Sequence, residues 1–443
     1  MQLRATVTLL LFVPCAPMAP AAHATPRATP RAAHHRHEAA TRSLRADTAG
    51  MLEDRLALVD YVMARALAAR GFPGAAVAIG RDDAVTWLHG YGRTDWSEES
   101  ARVSADSTLY DVASLTKVIA TTAAIMVLYD EGRIHLDDRV SRWLPAFRGG
   151  LKEQVTIRQL LTHRSGLPAG RDLWRAHDPA AARRLALGTP LMRVPGEREI
   201  YSDIGAIVLG MVAEAAAGEP LDRFVTRRVF RPLGMRHTFF NPPARWRRRA
   251  APTERSVVRA RLLRGEVHDE NAAALGGVAG HAGLFSTAAD LSIFARMLLG
   301  GGEYHGVRIV SDSTVALFTA PATAGRALGW QLCQGGGSCG HRMGPTAYGH
   351  TGFTGTSLWI DPERRTFVVV LTNAVRLPPE GRDDRWAVLS DVRGDLADLA
   401  TVAVADRPGG APPMPDVLRA DLAIGWGIAP RARIGASAAA GAR

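Results

Sequence analysis

Residues 108–117 read Thr-Leu-Tyr-Asp-Val-Ala-Ser-Leu-Thr-Lys, and they begin a helix-like run that ends before Gly132. Ser114 and Lys117 are three positions apart, so on one helical turn their side chains lie on the same face. A serine hydroxyl is a weak nucleophile that needs a neighbouring base. A lysine amine can act as that base when burial or nearby charge lowers its pKa from about 10.4. The pair therefore predicts a nucleophilic serine at the start of a helix, where the helix dipole stabilises developing negative charge.

Lysine is rare in this chain, and this makes the Ser-x-x-Lys spacing specific. Lys117 and Lys152 are the two lysines among the 54 Lys+Arg residues, so the remaining 52 are arginines, which stay protonated. With 18 serines in 443 residues, random placement gives roughly 0.08 occurrences of the pattern. The alternative is an amphipathic helix with an exposed lysine. The low chance frequency favours a catalytic pair.

The composition is that of a large globular protein, with 47% hydrophobic, 22% charged and 6% aromatic residues. These values exclude collagen-like, coiled-coil and multi-span membrane proteins. The net charge of +11 and the run Arg245-Trp-Arg-Arg-Arg249 raise the question of an acidic partner. No nucleic-acid-binding motif accompanies the run, so we expect no nucleic-acid partner. A solvated loop or an envelope polyanion explains the basic run better.

The N-terminus has the pattern of a signal peptide over residues 1–24. Arg4 is basic, residues 5–13 are apolar, and Ala22-His-Ala24 offers a cleavage site. Nine apolar residues are too few for a bilayer, which needs about 20, and we expect no transmembrane anchor. The pattern predicts a periplasmic or secreted protein.

Composition also sets the expected domain limits. Residues 25–48 are rich in Ala, Pro, Thr, Arg and His and predict a disordered linker, and residues 406–443 predict a disordered tail. The range 49–405 is left for one catalytic domain. Of the three cysteines, Cys333 and Cys339 lie in this domain, and an exported protein favours a disulfide between them, with two free thiols as the alternative.

Hydrophobic periodicity predicts strands near both ends of the domain and helices between them. Two hairpins are expected, one over residues 75–88 and one over residues 356–371, each with turn residues at its centre. Helices are expected over residues 204–217, 220–230, 288–299 and 384–400. The predicted class is α/β (α+β), with an antiparallel sheet built from N- and C-terminal segments and flanked by helices. An all-helical lobe of about residues 136–284 is inserted into it.

Several segments, in order, resemble the serine β-lactamase, penicillin-binding protein and esterase superfamily, in its class C-like branch. Residues 108–117 resemble its nucleophile segment, and residues 160–168 (Leu-Leu-Thr-His-Arg-Ser-Gly-Leu-Pro) resemble the signature that follows. Tyr201-Ser-Asp203 stands where Tyr-x-Asn is expected, and His350-Thr-Gly352 where Lys/His-Thr/Ser-Gly is expected. The resemblance covers about residues 50–400 and implies a β-lactamase/transpeptidase-like fold.

A further pair of segments resembles one subfamily of exported serine hydrolases. These are residues 267–271 (Val-His-Asp-Glu-Asn) and residues 276–285 (Gly-Gly-Val-Ala-Gly-His-Ala-Gly-Leu-Phe). They contain His268 and His281, which, with His163, are candidates for the rim of the site. For each histidine taken alone, a packing role is the stronger alternative.

The resemblance also implies roles for individual residues. Ser114 would attack the acyl carbon, and Lys117 and Tyr201 would share the proton transfers as a coupled pair. The backbone N–H groups of Ser114 and Phe353 would form an oxyanion hole, in which each donor contributes about 3 kcal/mol to the transition state. The substrate-binding set is Asp203, His350, Thr351, Gly352 and Phe353. Neither a metal ion nor a cofactor is expected.

Two departures from the family pattern bear on the substrate. An Asn can accept a hydrogen bond from Lys117 and donate one to a substrate carbonyl, whereas the ionised Asp203 can only accept and favours a charged lysine. A helix N-cap is the alternative role for Asp203. His350 is mostly neutral at pH 7 and attracts a substrate carboxylate less than a lysine would. Its alternative is a structural histidine at a strand start.

These observations predict an exported serine hydrolase of D-alanyl-D-alanine carboxypeptidase-like or esterase-like type, acting on a small-molecule or peptidoglycan-derived substrate. A β-lactamase is the alternative within the family, and a catalytically inactive cell-envelope binding protein is the alternative from another class. Residues 336–340 also fit the G-x-S-x-G pattern, but no histidine follows His350, so we expect Ser338 to be a loop residue. The oligomeric state is not predicted.

Overall fold

The structure is a computed structural model that describes residues 49–380, 385–406 and 410–420. The predicted signal peptide and linker, and most of the predicted tail, lie outside these residues. Within them the strands, in chain order, are β1 Gly74–Arg81, β2 Ala84–Gly92, β3 Tyr110–Asp111, β4 Phe239–Phe240, β5 Arg255–Ser256, β6 Arg261–Leu262, β7 Leu284–Ser286, β8 Glu303–Tyr304, β9 Val307–Arg308, β10 Gln331–Leu332, β11 Tyr348–Thr351, β12 Ser357–Asp361 and β13 Thr366–Thr372.

The same residues contain fourteen α-helices. In chain order they are α1 Glu53–Leu56, α2 Leu58–Ala68, α3 Ala123–Asp130, α4 Val140–Trp143, α5 Ile157–Leu161, α6 Pro179–Leu187, α7 Asp203–Ala217, α8 Leu221–Val225, α9 Arg231–Leu233, α10 Ala244–Arg247, α11 Glu270–Ala274, α12 Ala288–Leu299, α13 Asp312–Thr319 and α14 Arg385–Val402. Short 3₁₀ segments, among them Ala113–Leu115 and Leu173–Arg175, and two π-helical segments, Lys117–Thr122 and Thr226–Phe230, complete the helical structure.

The central sheet joins the two ends of the domain. Its six strands are antiparallel in the order β10-β11-β12-β13-β1-β2, and β1 pairs directly with β13, so that Val77 lies opposite Val370. The hairpin predicted around residues 75–88 is β1–β2, and the one predicted over 356–371 is β12–β13. The prediction of an antiparallel sheet built from both ends of the chain is confirmed.

Helices cover both faces of this sheet. Alternate residues of β1 point to opposite faces, so Ala76 and Ala78 join one hydrophobic core while Val77 and Ile79 join the other. The second core contains α2 and α14, and the first contains α12 and the helices of the insertion. Every residue of β13 is buried, as expected for a strand covered on both faces.

The sequence predicts an all-helical lobe over about residues 136–284, and most of the regular elements of this segment are helices. It also contains the two-residue strands β4, β5 and β6, which the sequence did not predict because such short strands carry no period-2 signal. β4 pairs with β7, and β7 pairs with β3 immediately before the Ser114 turn. The insertion is therefore joined to the nucleophile segment through a small three-stranded sheet.

The helix predicted from Ser114 to Glu131 is three kinds of helix in succession. A 3₁₀ turn over Ala113–Leu115 leads into the π-helical segment Lys117–Thr122, and α3 completes the run. Gly132 follows with φ 66°, which confirms it as the stop.

By length and composition, Ala113–Asp130 and the bent pair Asp203–Ala217 with Leu221–Leu233 pass the test for a membrane span among the described residues. The fold buries 83% of the first, as expected for a core helix.

Part of the chain beyond residue 406 is ordered, although the sequence predicts a disordered tail there. Leu418 and Ala420 are buried, and the backbone N–H groups of Arg419 and Ala420 each donate to Asp395 on α14 at 2.8 Å. The sequence does not predict this packing against α14, because two buried side chains in a Pro-rich segment give no periodic pattern of hydrophobic residues. Cys333 and Cys339 form a disulfide, with their Cα atoms 5.8 Å apart.

Candidate active site

Ser114 and Lys117 meet at the turn where the nucleophile segment becomes helical. The Lys117 Nζ donates a hydrogen bond to the Ser114 Oγ over 2.8 Å. The preceding residue, Ala113, has φ 47°, a conformation that costs energy for any residue with a Cβ. Its N–H donates to the Asp111 Oδ1 at 2.9 Å, which holds the turn in place. Ser114 and Lys117, which the sequence places three positions apart, are thus in direct contact at a strained turn.

The surroundings of Lys117 keep it charged. The residue is 4% exposed, and its Nζ lies 2.7 Å from the Asp203 Oδ1 and 3.2 Å from the His281 carbonyl oxygen. Burial lowers the pKa of Lys117, but Tyr201 and Asp203 together raise it by more, so the pKa lies above its usual value. A neutral lysine base requires a lowered pKa, whereas this environment raises the pKa of Lys117. Asp203, which replaces the Asn of the family pattern, thus favours the charged form of Lys117, as the sequence predicts.

Asp203 is free to pair with Lys117 because another residue caps its helix. The Ser202 side chain is the N-cap of α7 and accepts from the Gly205 N–H at 2.9 Å. The Asp203 backbone N–H donates to the Ala169 carbonyl oxygen, which fixes the first turn of the helix beside the site. The alternative N-cap role for Asp203 is therefore wrong, and the carboxylate faces the lysine.

Tyr201 lies at the centre of a group of cations and imidazoles. The centre of its ring is 4.9 Å from the Lys117 Nζ, 5.4 Å from the Arg326 guanidinium and 5.9 Å from the His350 ring. On its inner side the ring packs against His163 at 4.6 Å. Tyr201 is 36% exposed, so one part of the side chain reaches the solvent-filled cleft while the rest is held by its neighbours.

His163 and His350 are both buried and neutral. The His163 Nδ1 accepts from the Ser202 N–H at 3.1 Å, and burial lowers the pKa of His163 well below its usual range. His350 lies on β11, where its Nδ1 donates to the Thr351 carbonyl oxygen at 2.7 Å. Burial, with smaller contributions from Lys117 and Arg326, lowers the pKa of His350 to about 3. His350 therefore offers no positive charge to a substrate carboxylate, in agreement with the sequence.

Gly352 allows the end of β11 to approach the nucleophile turn. A Cβ added to Gly352 would lie 2.5 Å from the Val112 carbonyl oxygen, closer than any non-bonded contact allows. The Thr354 and Thr356 hydroxyls donate to the carbonyl oxygens of Asp111 and Val112, at 2.6 and 3.0 Å. These contacts hold the residues after β11 against the nucleophile turn, and Phe353 and Ser114 line the same cleft.

Two carboxylates that the sequence analysis did not single out support the site. The Asp111 Oδ2 accepts from the His268 N–H at 2.6 Å, so one buried carboxylate holds both the Ser114 turn and the 267–271 segment. Asp269 lies 2.8 Å from the His281 Nε2, and His281 in turn presents its carbonyl to Lys117. Both aspartates lie inside segments that carry the family resemblance. Their position inside these segments is the sequence feature that could have identified Asp111 and Asp269 as site residues.

A cleft of about 900 Å³ opens above these residues. Ser114, Tyr201, Asp203, His350, Thr351, Gly352 and Phe353 all line it, and Lys117 lies beneath Ser114. Of the rim candidates, His268 and His281 line the cleft, whereas His163 does not. Further charged side chains reach it: Asp111, Glu254, Asp269, Arg171, Arg326 and Arg393. The structure thus brings all predicted site residues together, and their individual roles stay predictions.

Other features noted in the sequence lie elsewhere. Ser338 belongs to a 3₁₀ turn inside the disulfide loop, with no helix after it of the kind a nucleophile elbow needs. The basic run 245–249 lies on and beside α10, outside the cleft. In residues 49–380, 385–406 and 410–420, no three His, Cys, Asp or Glu side chains are grouped so that they could hold a metal ion.

The order of the site motifs and the sheet topology are those of a serine hydrolase with the β-lactamase fold. The Beta-lactamase family model matches residues 59–393, and the chain belongs to that family. In this family of serine hydrolases the chain is an enzyme related to β-lactamases and penicillin-binding proteins.

Two curated relatives and one solved structure show the range of the family. A protein of Escherichia coli (strain K12) named "Putative D-alanyl-D-alanine carboxypeptidase" is 34% identical over 70% of this chain and 80% of its own length. The "N-acetylmuramyl-L-alanine amidase" of Bacillus subtilis (strain 168) is 34% identical over 76% of this chain and 84% of its own length. The octameric penicillin-binding protein homologue from Pyrococcus abyssi superimposes with a TM-score of 0.58 at 23% identity, over 73% of this chain and 75% of its own, which shows the shared fold.

Proposed function

We propose that this protein is an exported serine hydrolase that cleaves an amide bond in a peptidoglycan-derived substrate through an acyl-enzyme on Ser114. The observation that carries the proposal is the 2.8 Å contact between the Ser114 Oγ and the Lys117 Nζ at the base of a large cleft. A buried lysine beside a hydroxyl that faces open space is the arrangement that nucleophilic catalysis requires. The strained turn before Ser114 supports a functional role, because such strain persists where the surrounding structure fixes it.

In the proposed mechanism the coupled pair of Lys117 and Tyr201 has lost one of its two protons before the reaction. The Ser114 Oγ then attacks the carbonyl carbon, and the Ser114 proton passes to this pair. The carbonyl oxygen becomes negatively charged and accepts from the N–H groups of Ser114 and Phe353. The leaving amine takes the proton from the pair, and an ester between Ser114 and the acyl group remains. A water molecule then attacks this ester, the pair accepts the water proton, and the acid product leaves as the Ser114 hydroxyl reforms.

The names of the relatives favour a D-alanyl-D-alanine carboxypeptidase, and the esterase type remains the alternative from the sequence. A second amide hydrolase is supported independently by the Bacillus subtilis relative, whose name places the bond between a muramyl group and L-alanine. Two features of the site disfavour efficient β-lactamase activity. The side chain of Asp203 is ion-paired with Lys117 and has no N–H group to donate to a substrate carbonyl. The neutral His350 offers no positive charge to a substrate carboxylate.

The intact pair of Ser114 and Lys117 argues against an inactive binding protein. For location, the basic and apolar pattern of residues 1–24 supports export to the periplasm or the medium. The substrate would be a small molecule or a peptidoglycan fragment, with neither a nucleic-acid partner nor a membrane anchor. Mass spectrometry of the mature N-terminus tests export, and we expect it to begin near Thr25.

A panel of substrates tests the reaction. The full-length mature protein is incubated with a D-Ala-D-Ala peptide, a muramyl-L-alanyl peptide, a short-chain aryl ester and a cephalosporin, and intact mass is recorded at short times. We expect turnover of at least one peptide, a slower reaction with the cephalosporin, and an acyl adduct that Ser114→Ala does not form. A folded wild-type protein that forms no adduct with any of the four would instead support the inactive binding protein.

A further inference from the structure

Three aromatic rings form a row along one wall of the cleft, and no step of the mechanism uses their faces. The Phe353 ring lies 5.7 Å from the His268 ring and 5.3 Å from the Trp386 ring, between ring centres. Phe353 is 61% exposed and Trp386 is 38% exposed, although both line the same cleft as Ser114. We call these three side chains the aromatic row. Large apolar side chains exposed in a concave site indicate a ligand surface.

Charged and polar groups frame the aromatic row. The His268 Nε2 lies 3.0 Å from the Glu254 Oε1, and Arg171 reaches the same cleft. The Arg385 guanidinium lies over the Trp386 ring, 5.1 Å from its centre. A wholly apolar ligand would take solvent from these groups and leave them without compensation. A ligand with an apolar face and a polar edge would stack on the rings and keep the polar groups hydrogen-bonded.

The geometry points to a saccharide-binding subsite on the aromatic row, which takes a pyranose ring of the substrate. A pyranose has C–H groups on its faces, which an aromatic π-face attracts, and hydroxyl groups on its edge, which suit the Glu254 carboxylate beside His268. The inference rests on the proposed function, since the peptidoglycan-derived substrate supplies the sugar.

The position of the row limits where the sugar can lie in the substrate. The Phe353 ring and the Phe353 N–H belong to one residue, so a sugar on the ring lies a few bonds from a carbonyl held by that N–H. A D-alanyl bond lies at the far end of the stem peptide, where each extended residue adds about 3.3–3.6 Å. The row therefore favours cleavage of the bond next to the sugar over cleavage of the terminal D-alanyl bond.

Asp203 favours the same substrate independently. In the family pattern an Asn at this position donates to a carbonyl of an acylamino substrate, and Asp203, paired with Lys117 at 2.7 Å, has no donor. A muramyl group carries an ether oxygen on the carbon next to its acyl carbon, where a peptide carries an amide nitrogen. Such an acyl group does not need the missing donor.

Binding to the inactive Ser114→Ala protein tests the subsite without turnover. The ligands are N-acetylmuramyl-L-alanyl-D-isoglutamine and the same dipeptide without the sugar, measured by calorimetry. We expect the sugar-bearing ligand to bind at least roughly tenfold more tightly, in line with the effect of stacking one ring on an aromatic side chain. Equal affinities for the two ligands would overturn the subsite.

Variants in the Ser114→Ala background assign the binding to the aromatic row. Trp386→Ala should remove most of the preference for the sugar, and Trp386→Phe should keep it, because the ring face remains. Trp174 is the matched control, since it is 36% exposed in the same cleft and lies under Arg175 at 4.8 Å. Trp174→Ala should keep the preference. Loss of the preference with Trp174→Ala and its retention with Trp386→Ala would refute the assignment.

The outcome for the subsite is separable from the outcome for the proposed function. If Ser114→Ala prefers the sugar through Trp386 while the wild-type protein cleaves no peptidoglycan fragment, the subsite stands and the proposed reaction is wrong. If the wild-type protein cleaves these fragments while Ser114→Ala shows no preference, the reaction stands and the subsite is wrong.

Discussion

The wall of the cleft that carries Lys117 and the wall that carries His350 hold their titratable groups in opposite ways. Around Lys117 the groups are charged and paired: Asp203 lies 2.7 Å away, and the Asp269–His281 pair supports the carbonyl that Lys117 contacts. The pKa of Asp269 is lowered, since His281 and Lys117 outweigh the effect of burial. On the other wall, burial is the main cause of the lowered pKa of His350, with smaller contributions from Lys117 and Arg326, and the imidazole is neutral.

In the proposed mechanism, this difference separates proton transfer from substrate binding within a single cleft. A charge is tolerated in a buried place when an opposite charge compensates it, and a group without such a partner loses its charge. The paired wall can move protons, whereas the neutral wall can bind a substrate through backbone donors and ring faces.

Lys117→Arg should reduce kcat by roughly 10³-fold or more, because an arginine cannot release its proton and its fork does not fit the same contacts. The measurement is steady-state turnover of an aryl ester, together with labelling by an acylating probe. Lys152→Arg is the matched control, since Lys152 is the other lysine of the chain, is also buried, and donates to the Leu187 carbonyl oxygen away from the cleft. Normal labelling of the Lys117→Arg protein would refute the catalytic pair.

Asp111→Asn should lower the acylation rate by about 10–100-fold. Asp111 accepts two backbone N–H groups, from Ala113 and His268, and an Asn side chain can accept only through its single oxygen. We expect a larger loss in kcat than in substrate affinity, because the Ser114 turn moves while the neutral wall stays in place. Stopped-flow acylation with parallel thermal unfolding checks this. A fall in melting temperature with an unchanged acylation rate would mean a purely structural role.

Asp203→Asn should shift the rising limb of the pH–kcat/KM profile to lower pH by about one unit or more. Asp203 raises the pKa of Lys117, so its removal lets the coupled pair lose a proton at lower pH. The variant should also gain relative activity on acylamino substrates, because the Asn can donate to their carbonyl. Asp54→Asn, at an exposed carboxylate of α1, serves as the control. An unchanged profile would contradict the ion pair as the cause of the raised pKa.

His350 should make the folded state sensitive to acid. Its pKa in the folded protein is about 3, whereas an unfolded histidine titrates near 6.5, so its stabilising contribution is complete above about pH 6.5 and is lost as the pH falls toward 3. Between pH 7 and about pH 4.5 this amounts to roughly 2–3 kcal/mol.

Urea unfolding at those two pH values measures the loss, and His350→Asn should lose less than the wild-type protein. The exposed His135→Asn should behave like the wild-type protein. If His350→Asn lost as much stability as the wild-type protein, the histidine would not be buried neutral.

Removal of the disulfide should have the smallest effect on catalysis. A ring of this size contributes about 2 kcal/mol in the loop-entropy model, and neither Cys333 nor Cys339 lines the cleft. The Cys333→Ser, Cys339→Ser double variant should therefore unfold at a lower temperature and keep the aryl-ester activity of the wild-type protein. A large loss of activity would show that the loop between the two cysteines controls the edge strand β10 and, through it, the neutral wall.

Much of the site could be predicted from the sequence, because its motifs are local. Ser114 and Lys117 share one helical turn, and His350 and Gly352 share the end of one strand. The order of these motifs along the chain, with the hairpins at both ends, was enough to predict the family and the sheet. Asp111 was missed, since its role depends on a backbone contact to His268, 157 positions along the chain. No spacing rule reports such a contact.

Short-range spacing and hydrophobic periodicity in the amino-acid sequence are enough to predict the candidate nucleophile Ser114, its neighbour Lys117 and the antiparallel sheet. The sequence indicates, through Asp203 and the imidazole of His350, the direction of the pKa shift at Lys117 and the neutral state of His350. The size of both effects was left to the tertiary structure, because burial and through-space partners set a pKa. The tertiary structure also decided that Ser202, and not Asp203, caps α7, since this depends on which side chain the helix start turns toward the lysine. The aromatic row also depends on the tertiary structure, because His268, Phe353 and Trp386 are far apart in sequence and adjacent in space.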